Sequence, residues 1–586
     1  MRKAVHESGR LFLCAGCLRV AAIVSVYFFA KKRYIRRMNP FFKKVISAAF
    51  VAFAFFPLSA QELGPDGSLE DALAEMADAG EPSVDDGMQR EFRIVMSSQR
   101  FNLNPHAATY SSEAQVLDAL YEGLYSYQPK TLEPVPALAT ECKVSRDKKR
   151  LTFTIRENAR FSDGSPINAF SVRNSWLMLL STPDAPYSSL LDCVRGAKEF
   201  RNGRATERDV GITARDDRTL VVNLVSPTAH FTRIICHHAF SVKTSADNVF
   251  SGAFVIKERT DNSILLEKNH NYWDAANVHL PAIRITTSDE LRENSFAFNV
   301  GDADWISSTF DAGVILNKNA IRLSAIFGTE YLFFSCRNEP WNRADFRNAL
   351  IQAVPWAELR RSSLVQATTL VYPLSGYPQV EGLTDTSAED AADMMREARK
   401  SAGIPENEKL KISFGISALS ERQKKFAELL SEAWKPLGVD VDVQVASDYR
   451  YIESIPGWNA DIFVYSWIGD FADPLAFLEL FREGSTLNQT KWSNERYTQL
   501  LDEASRENGS FEHYKLLAAA EGVLLDDGVV MPVSHSISLH ALNPARVGGW
   551  FVNALDIHPY KYLFLKESRD DIPNVVKTEK SAGDSV

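Results

Sequence analysis

Few residues in this chain are of a type and spacing that could do chemistry. Ser145-Arg146-Asp147-Lys148 has the serine–lysine spacing of penicillin-recognising serine enzymes. It sits in a charged turn ahead of a strand, without the partner Lys-Thr-Gly motif, and reads as chance. His237-His238 sets two imidazoles side by side, without acidic or cysteine partners at metal spacing. Cys14-Ala15-Gly16-Cys17 lacks a metal or redox context. No HExxH, G-x-S-x-G, Walker A or GxGxxG motif occurs. The expectation is therefore no enzyme, no metal and no cofactor. What remains is Asp470, which follows the apolar run Ile462–Tyr465 at the end of a strand. That is where α/β folds present ligand contacts. A carboxylate enclosed there suits a cationic group, provided the pair is matched well enough to offset desolvation. The plainer reading is a turn or helix-capping aspartate ahead of Pro474.

The elements that must position such a residue alternate in character. A chain of 586 residues is too long for one core, since cores stop growing near ~250–300 residues. Leu151-Thr152-Phe153-Thr154-Ile155 alternates with period two, the mark of a half-buried strand. Asp216-Asp217 and Asp261-Asn262 each separate two strand-like runs, as hairpin turns do. These point to a lobe rich in antiparallel sheet. Beyond Pro340 the spacing predicts helices over 345–354, 388–401, 421–434, 494–507 and 511–525. It predicts strands over 410–414, 439–445 and 462–465. Strand–helix–strand order of that kind is α/β, and a second lobe is expected there.

Charge excludes one class of partner. The formal net charge is −10, but residues 1–60 hold 11 Lys and Arg against 1 acidic residue. The rest carries 54 basic and 74 acidic side chains, a poor balance for phosphate contacts, so no nucleic acid is expected. The basic start is a leader. Lys43-Lys44, the apolar Val45–Pro57 and the small residue Ala60 form the three parts of a signal peptide over about 38–60. At about 13 residues the apolar part is short for a span. The rival readings are an anchor through residues 11–30 and lipidation near Cys17. Gln61–Gln89 holds nine acidic residues and no basic one, and reads as a flexible tether. The polar 567–586 reads as a disordered tail. Export allows disulfides. Cys142, Cys193, Cys236 and Cys336 allow three full pairings, with buried free thiols as the alternative.

Five stretches, in order, carry a resemblance. They are Leu120–Leu124 with Pro134–Ala139, Leu151–Arg156 with Phe161–Pro166, Gly252–Phe254 through Asn269–Trp273, Pro340–Asn342 with Phe346–Leu350, and Trp467–Pro474. Together they resemble the solute-binding proteins of peptide-type ABC importers (family 5), above all the oligopeptide receptors, across roughly residues 92–566. The resemblance implies an α/β, two-lobed periplasmic-binding-protein-like clamp of the cluster C type. The first lobe would comprise 92–328 plus 538–566, with an extra subdomain over about 124–245, and the second 329–537. It further implies an exported, periplasmic, monomeric receptor. Such a receptor captures peptides between its lobes and delivers them to the membrane subunits of an ABC permease. The alternative keeps the fold and binds another small solute, such as a nickel complex, haem, an opine or a sugar, or serves as a sensory adaptor.

The resemblance also assigns residues. Asp470 falls where relatives bond the ligand's amino terminus, and Tyr187 matches a tyrosine that faces the same amine. Ser466, Trp467, Ile468 and Gly469 would lend backbone groups, with Trp467 also walling a pocket. Ser111 falls at a contact from the first lobe, and His535 lies near the second crossing between lobes. Two arginines that receive the ligand's carboxylate in the oligopeptide receptor become Ile455 and Val464 here. Either the carboxylate is met elsewhere, or it reaches solvent, or the ligand is not a free peptide.

Overall fold

Two long strands dominate the architecture. The structure is a computed structural model that describes residues 90–446, 451–507 and 510–566. The leader, the acidic tether and the tail lie outside them. Ten strands form one sheet. Along the chain they are β1 (Phe92–Met96), β2 (Phe254–Arg259), β3 (Ser263–Lys268), β4 (Ala282–Thr287), β5 (Trp305–Ser307), β6 (Ile321–Phe334), β7 (Leu410–Ser417), β8 (Val439–Ala446), β9 (Ile462–Ile468) and β10 (Val530–Leu542). Their order across the sheet is β8-β7-β9-β6-β10-β5-β1-β4-β3-β2. β6 and β10 are antiparallel neighbours at its centre.

These two strands serve different partners at their two ends. One end of β10 pairs with β5, Trp305 opposite Leu542. The other end of β6 pairs with β9, from Gly328 opposite Ile468 to Phe334 opposite Ile462. Between them the β6–β10 ladder breaks, with no regular register from Ala325 to Thr329. A bulge bends and twists its strand. The sheet thus has two wings joined through one irregular ladder.

Each wing has its own core. On one side Phe92, Ile94, Ile283, Ile285 and Trp305 pack with Leu117 and Leu120 of the helix Ser111–Leu120. On the other, Ile412, Phe414, Ile462 and Val464 pack with Phe426, Leu430 and Trp434 of the helix Glu421–Trp434. The alternating β1 sequence Phe-Arg-Ile-Val-Met buries Phe92, Ile94 and Met96, as its period of two requires. A separate four-stranded antiparallel sheet lies within residues 139–223, including Arg150–Ile155 and Thr219–Asn223. Its core runs on into side chains of 451–529, so these stretches pack directly against each other.

The expected hairpins form across Asp216-Asp217 and Asp261-Asn262. The helices expected beyond Pro340 form within one or two residues of the predicted bounds, as Ala344–Gln352, Ala388–Ala402, Glu421–Trp434, Glu495–Arg506 and Ser510–Asp526. Cys142, Cys193, Cys236 and Cys336 are all free thiols, but only Cys236 is buried and the other three are partly exposed. Burial pushes the Cys193 thiol up to about 12, which makes it a poor nucleophile.

Candidate functional site

At the end of β9 the backbone is left with one open edge. β9 pairs with β6 along its whole length, but β7 pairs with it only at Ile462 and Phe463. From Tyr465 onward no strand covers its other side among the described residues. That edge faces a cavity of about 270 Å³. Tyr465 to Asp470 form one wall, Thr109, Tyr110, Ser111 and Ala114 another, and Tyr187, His237 and His238 a third. Leu555, Asp556 and Ile557 close the floor.

The cavity gathers segments from across the sequence because contacts close around it. Tyr127 donates its hydroxyl to the Asp470 carbonyl at 2.8 Å. Thr486 donates to the Pro186 carbonyl at 2.6 Å and lies 2.8 Å from the Ser189 hydroxyl. The ring centroids of Tyr187 and Trp467 lie 6.4 Å apart, and the Trp467 indole donates to the Ala476 carbonyl at 3.0 Å. Trp467 is therefore pinned as a wall.

Asp470 is 8 % exposed. No basic side chain lies beside its carboxyl among the described residues lining the cavity. The nearest candidate is His237, whose Nε2 is 3.5 Å from Asp470 Oδ1. That separation suits an ion pair, but burial holds the His237 imidazole well below its usual range. His237 Nδ1 also accepts the Ala239 N–H at 3.3 Å, which leaves the proton of the neutral ring on Nε2, facing Asp470. Asp470 thus has a neutral imidazole rather than a cation beside it, and burial alone pushes its carboxyl well above the ordinary carboxylate range. A positive group entering the cavity would reverse that shift.

The turn bond ahead of the next helix is made by a neighbour of Asp470. Asp473 Oδ1 accepts the Leu475 N–H at 2.9 Å at the start of the helix Leu475–Leu478. Both Asp473 oxygens lie 3.0 Å from His513 Nε2. Asp470 has no such bond. Gly469 is required by crowding, since an added Cβ would come within 2.7 Å of the Phe327 ring. Its N–H donates to the Phe327 carbonyl at 2.9 Å, which holds the β9 end against the irregular part of β6. Gly469→Ala is therefore expected to cost about 1–3 kcal/mol, an overpacking effect, read as a lower midpoint in urea unfolding.

Of the residues singled out from sequence, Ser111, Tyr187, Ser466, Trp467, Ile468, Gly469 and Asp470 all line this one cavity. His535 does not. It is buried between β6 and β10, with Nδ1 3.0 Å from Thr329 Oγ1 and its ring edge-on to Tyr372. The register explains this, since His535 lies opposite Thr329 in the ladder and is used up between strands. Ile455 and Val464 are 1 % and 2 % exposed, each inside a core and away from the cavity. His237, His238, Tyr110 and the 555–557 turn were not legible as site residues, because nothing in their spacing links them to Asp470.

One cluster has the composition of a metal site: His540, Asp556 and His558. Its chemistry does not fit. His540 Nδ1 accepts the Trp305 indole N–H at 3.1 Å. The neutral ring therefore carries its proton on Nε2 and donates it to Asp556 Oδ1 at 2.9 Å. No lone pair of His540 is left to point at a cation.

Comparison with known proteins bears on what such a cavity holds. The family model described as bacterial extracellular solute-binding proteins, family 5 middle, matches residues 133–489. The dipeptide-binding protein DppE of Bacillus subtilis is 28% identical, over 77% of this chain and 87% of its own. The oligopeptide-binding protein OppA of the same species is 26% identical, over 78% and 89%. Among solved structures, the murein tripeptide binding protein MppA of Escherichia coli superposes with a TM-score of 0.72 at 25% identity. It covers 82% of this chain and 99% of that one.

Proposed function

The chain belongs to family 5 of the bacterial extracellular solute-binding proteins, and from that membership we propose that it captures short peptides by their amino end. The observation that carries this reading is Asp470, a buried carboxyl with no cation beside it, at the end of a strand whose outer edge is open. A peptide added along that edge offers regular backbone donors and acceptors, and its protonated amine reaches Asp470. Tyr187, Trp467 and His237 wall the first side-chain position and exclude water from the ion pair. Ser111 closes over it from the other wing. Since Ile455 and Val464 are core residues, affinity rests on the amine and the backbone rather than on the ligand's carboxylate.

The same reading sets the architecture and the setting. β6 and β10 are the two crossings. They join a first lobe of 92–328 plus 538–566, with the subdomain at about 124–245, to a second lobe of 329–537. The leader over 38–60 exports the chain to the periplasm, where it works as a monomer and hands its cargo to the membrane subunits of an ABC permease. Among the described residues no helix is long and apolar enough to cross a membrane.

Mass spectrometry of small molecules released from protein purified without denaturation tests the reading. Short peptides are expected. Adding such a peptide at one hundred times its Kd should then stabilise the fold by about 2.7 kcal/mol. Stabilisation by a metal complex or a sugar, with none by peptides, would overturn it.

A further inference from the structure

The floor of the cavity carries a second acid. Asp556 lies on a turn from the wing opposite β9, and at φ 56° it adopts the left-handed conformation that few residues other than glycine, asparagine and aspartate tolerate. The turn is over-determined. Asn553 Oδ1 accepts the Leu555 and Ile557 N–H groups, both at 3.2 Å, and Asn553 Nδ2 donates to the Ile557 carbonyl at 2.6 Å. The Gln115 side chain then clamps it on both sides, donating to the Asp556 carbonyl and accepting the His558 N–H at 3.1 Å. Backbone held in a sparsely populated region by several such bonds is a recurring mark of functional sites.

The side chain is held as firmly. Asp556 Oδ1 accepts from His540 Nε2 at 2.9 Å and from His558 Nε2 at 3.2 Å. Among the described residues Oδ2 takes no hydrogen bond, and the side chain is 22% exposed, in the cavity wall. His540 is neutral by its bond from Trp305, and burial holds His558 below its usual range. The two imidazoles therefore orient the carboxylate through one oxygen and leave the other open. Burial pushes the Asp556 carboxyl up, but the hydrogen bonds and electrostatic pull of the two imidazoles outweigh it and hold the carboxyl below the usual carboxylate range. The cavity so holds two acids of different character: Asp470, which waits for a cation, and Asp556, which presents a standing charge.

We propose that Asp556 forms a second anionic subsite, selecting ligands that carry a basic group in addition to their terminal amine. In a peptide this is a lysine, arginine or other diamino-acid side chain. The proposal rests on the capture reading above and narrows its ligand class. Asp556→Asn is the matching variant, since asparagine also adopts the left-handed conformation and still accepts from the histidines while losing the charge.

The experiment compares trialanine with the three tripeptides that carry one lysine, by titration calorimetry on the full chain. At least one lysine peptide should bind the native protein tenfold or more tightly than trialanine does. Acetylating that lysine should abolish the advantage, a test that needs no variant. In Asp556→Asn the advantage should fall below threefold. No preference in the native protein, or a preference that survives Asp556→Asn, overturns the subsite and leaves peptide capture standing. The two readings separate through 1,5-diaminopentane, which should raise the melting temperature of the native protein more than that of Asp556→Asn. Retention of that effect with no peptide bound would overturn peptide capture and support the subsite. Loss of both would overturn the subsite as well.

Discussion

Asp470→Asn is expected to weaken binding of a short peptide by about 2–5 kcal/mol, the usual loss when one partner of a buried charge pair is removed. The same substitution should make the ligand-free protein harder to unfold at neutral pH. The two effects have one cause. In the empty cavity the Asp470 carboxyl is buried beside a neutral imidazole, and ionising it there is unfavourable. Asparagine removes that cost at nearly the same size. Calorimetric titration reads the affinity, and urea unfolding without ligand reads the stability. A merely structural aspartate would give the opposite result in the second measurement, since its loss would lower stability.

Peptide affinity is likewise expected to rise with pH, by about tenfold per unit, between the ordinary carboxylate range and the raised value of Asp470. Asp470 titrates higher in the folded, ligand-free protein than in the unfolded chain, so the folded form holds a proton that the unfolded one has lost. Stability of the empty protein therefore falls as pH rises through that window. A bound ammonium group favours the ionised carboxylate, so binding releases the proton and grows stronger as pH rises. Other groups facing Asp470 add their own terms. His237 and His238 are both held neutral by burial, and below their ordinary range they also favour higher pH. Asp556 lies well below the window. The difference between native protein and Asp470→Asn isolates the Asp470 contribution. Titrations in buffers of different ionisation enthalpy should show close to one proton released by the native protein in this window, and correspondingly less by the variant.

The parts of the fold legible in the sequence were those fixed by local pattern. Phe426, Leu429, Leu430 and Ala433 fall at helical spacing, and the 421–434 helix forms within those bounds, burying Phe426 and Leu430. Asp216-Asp217 turns a hairpin because its flanking residues alternate. Asp470 was legible because it ends an apolar strand within a motif. The rest of the cavity was not. His237 reaches Asp470 across more than two hundred residues of chain, and only the docking of Tyr127 and Tyr187 onto the β9 end brings it there. Asp556 was invisible for a similar reason. Its environment is made by Gln115, His540 and His558, and its left-handed backbone has no glycine to announce it. His535 was misleading because its place within β10 does not say which face of that strand meets the cavity.

The most direct measurement titrates the native protein with one short peptide in two forms, its amino terminus free and acetylated. Acetylation removes the positive charge and little else. If the buried carboxyl of Asp470 receives that charge, the free form binds at least thirtyfold more tightly, and the two forms bind Asp470→Asn about equally. Equal affinity of both forms for the native protein would contradict an amine at Asp470.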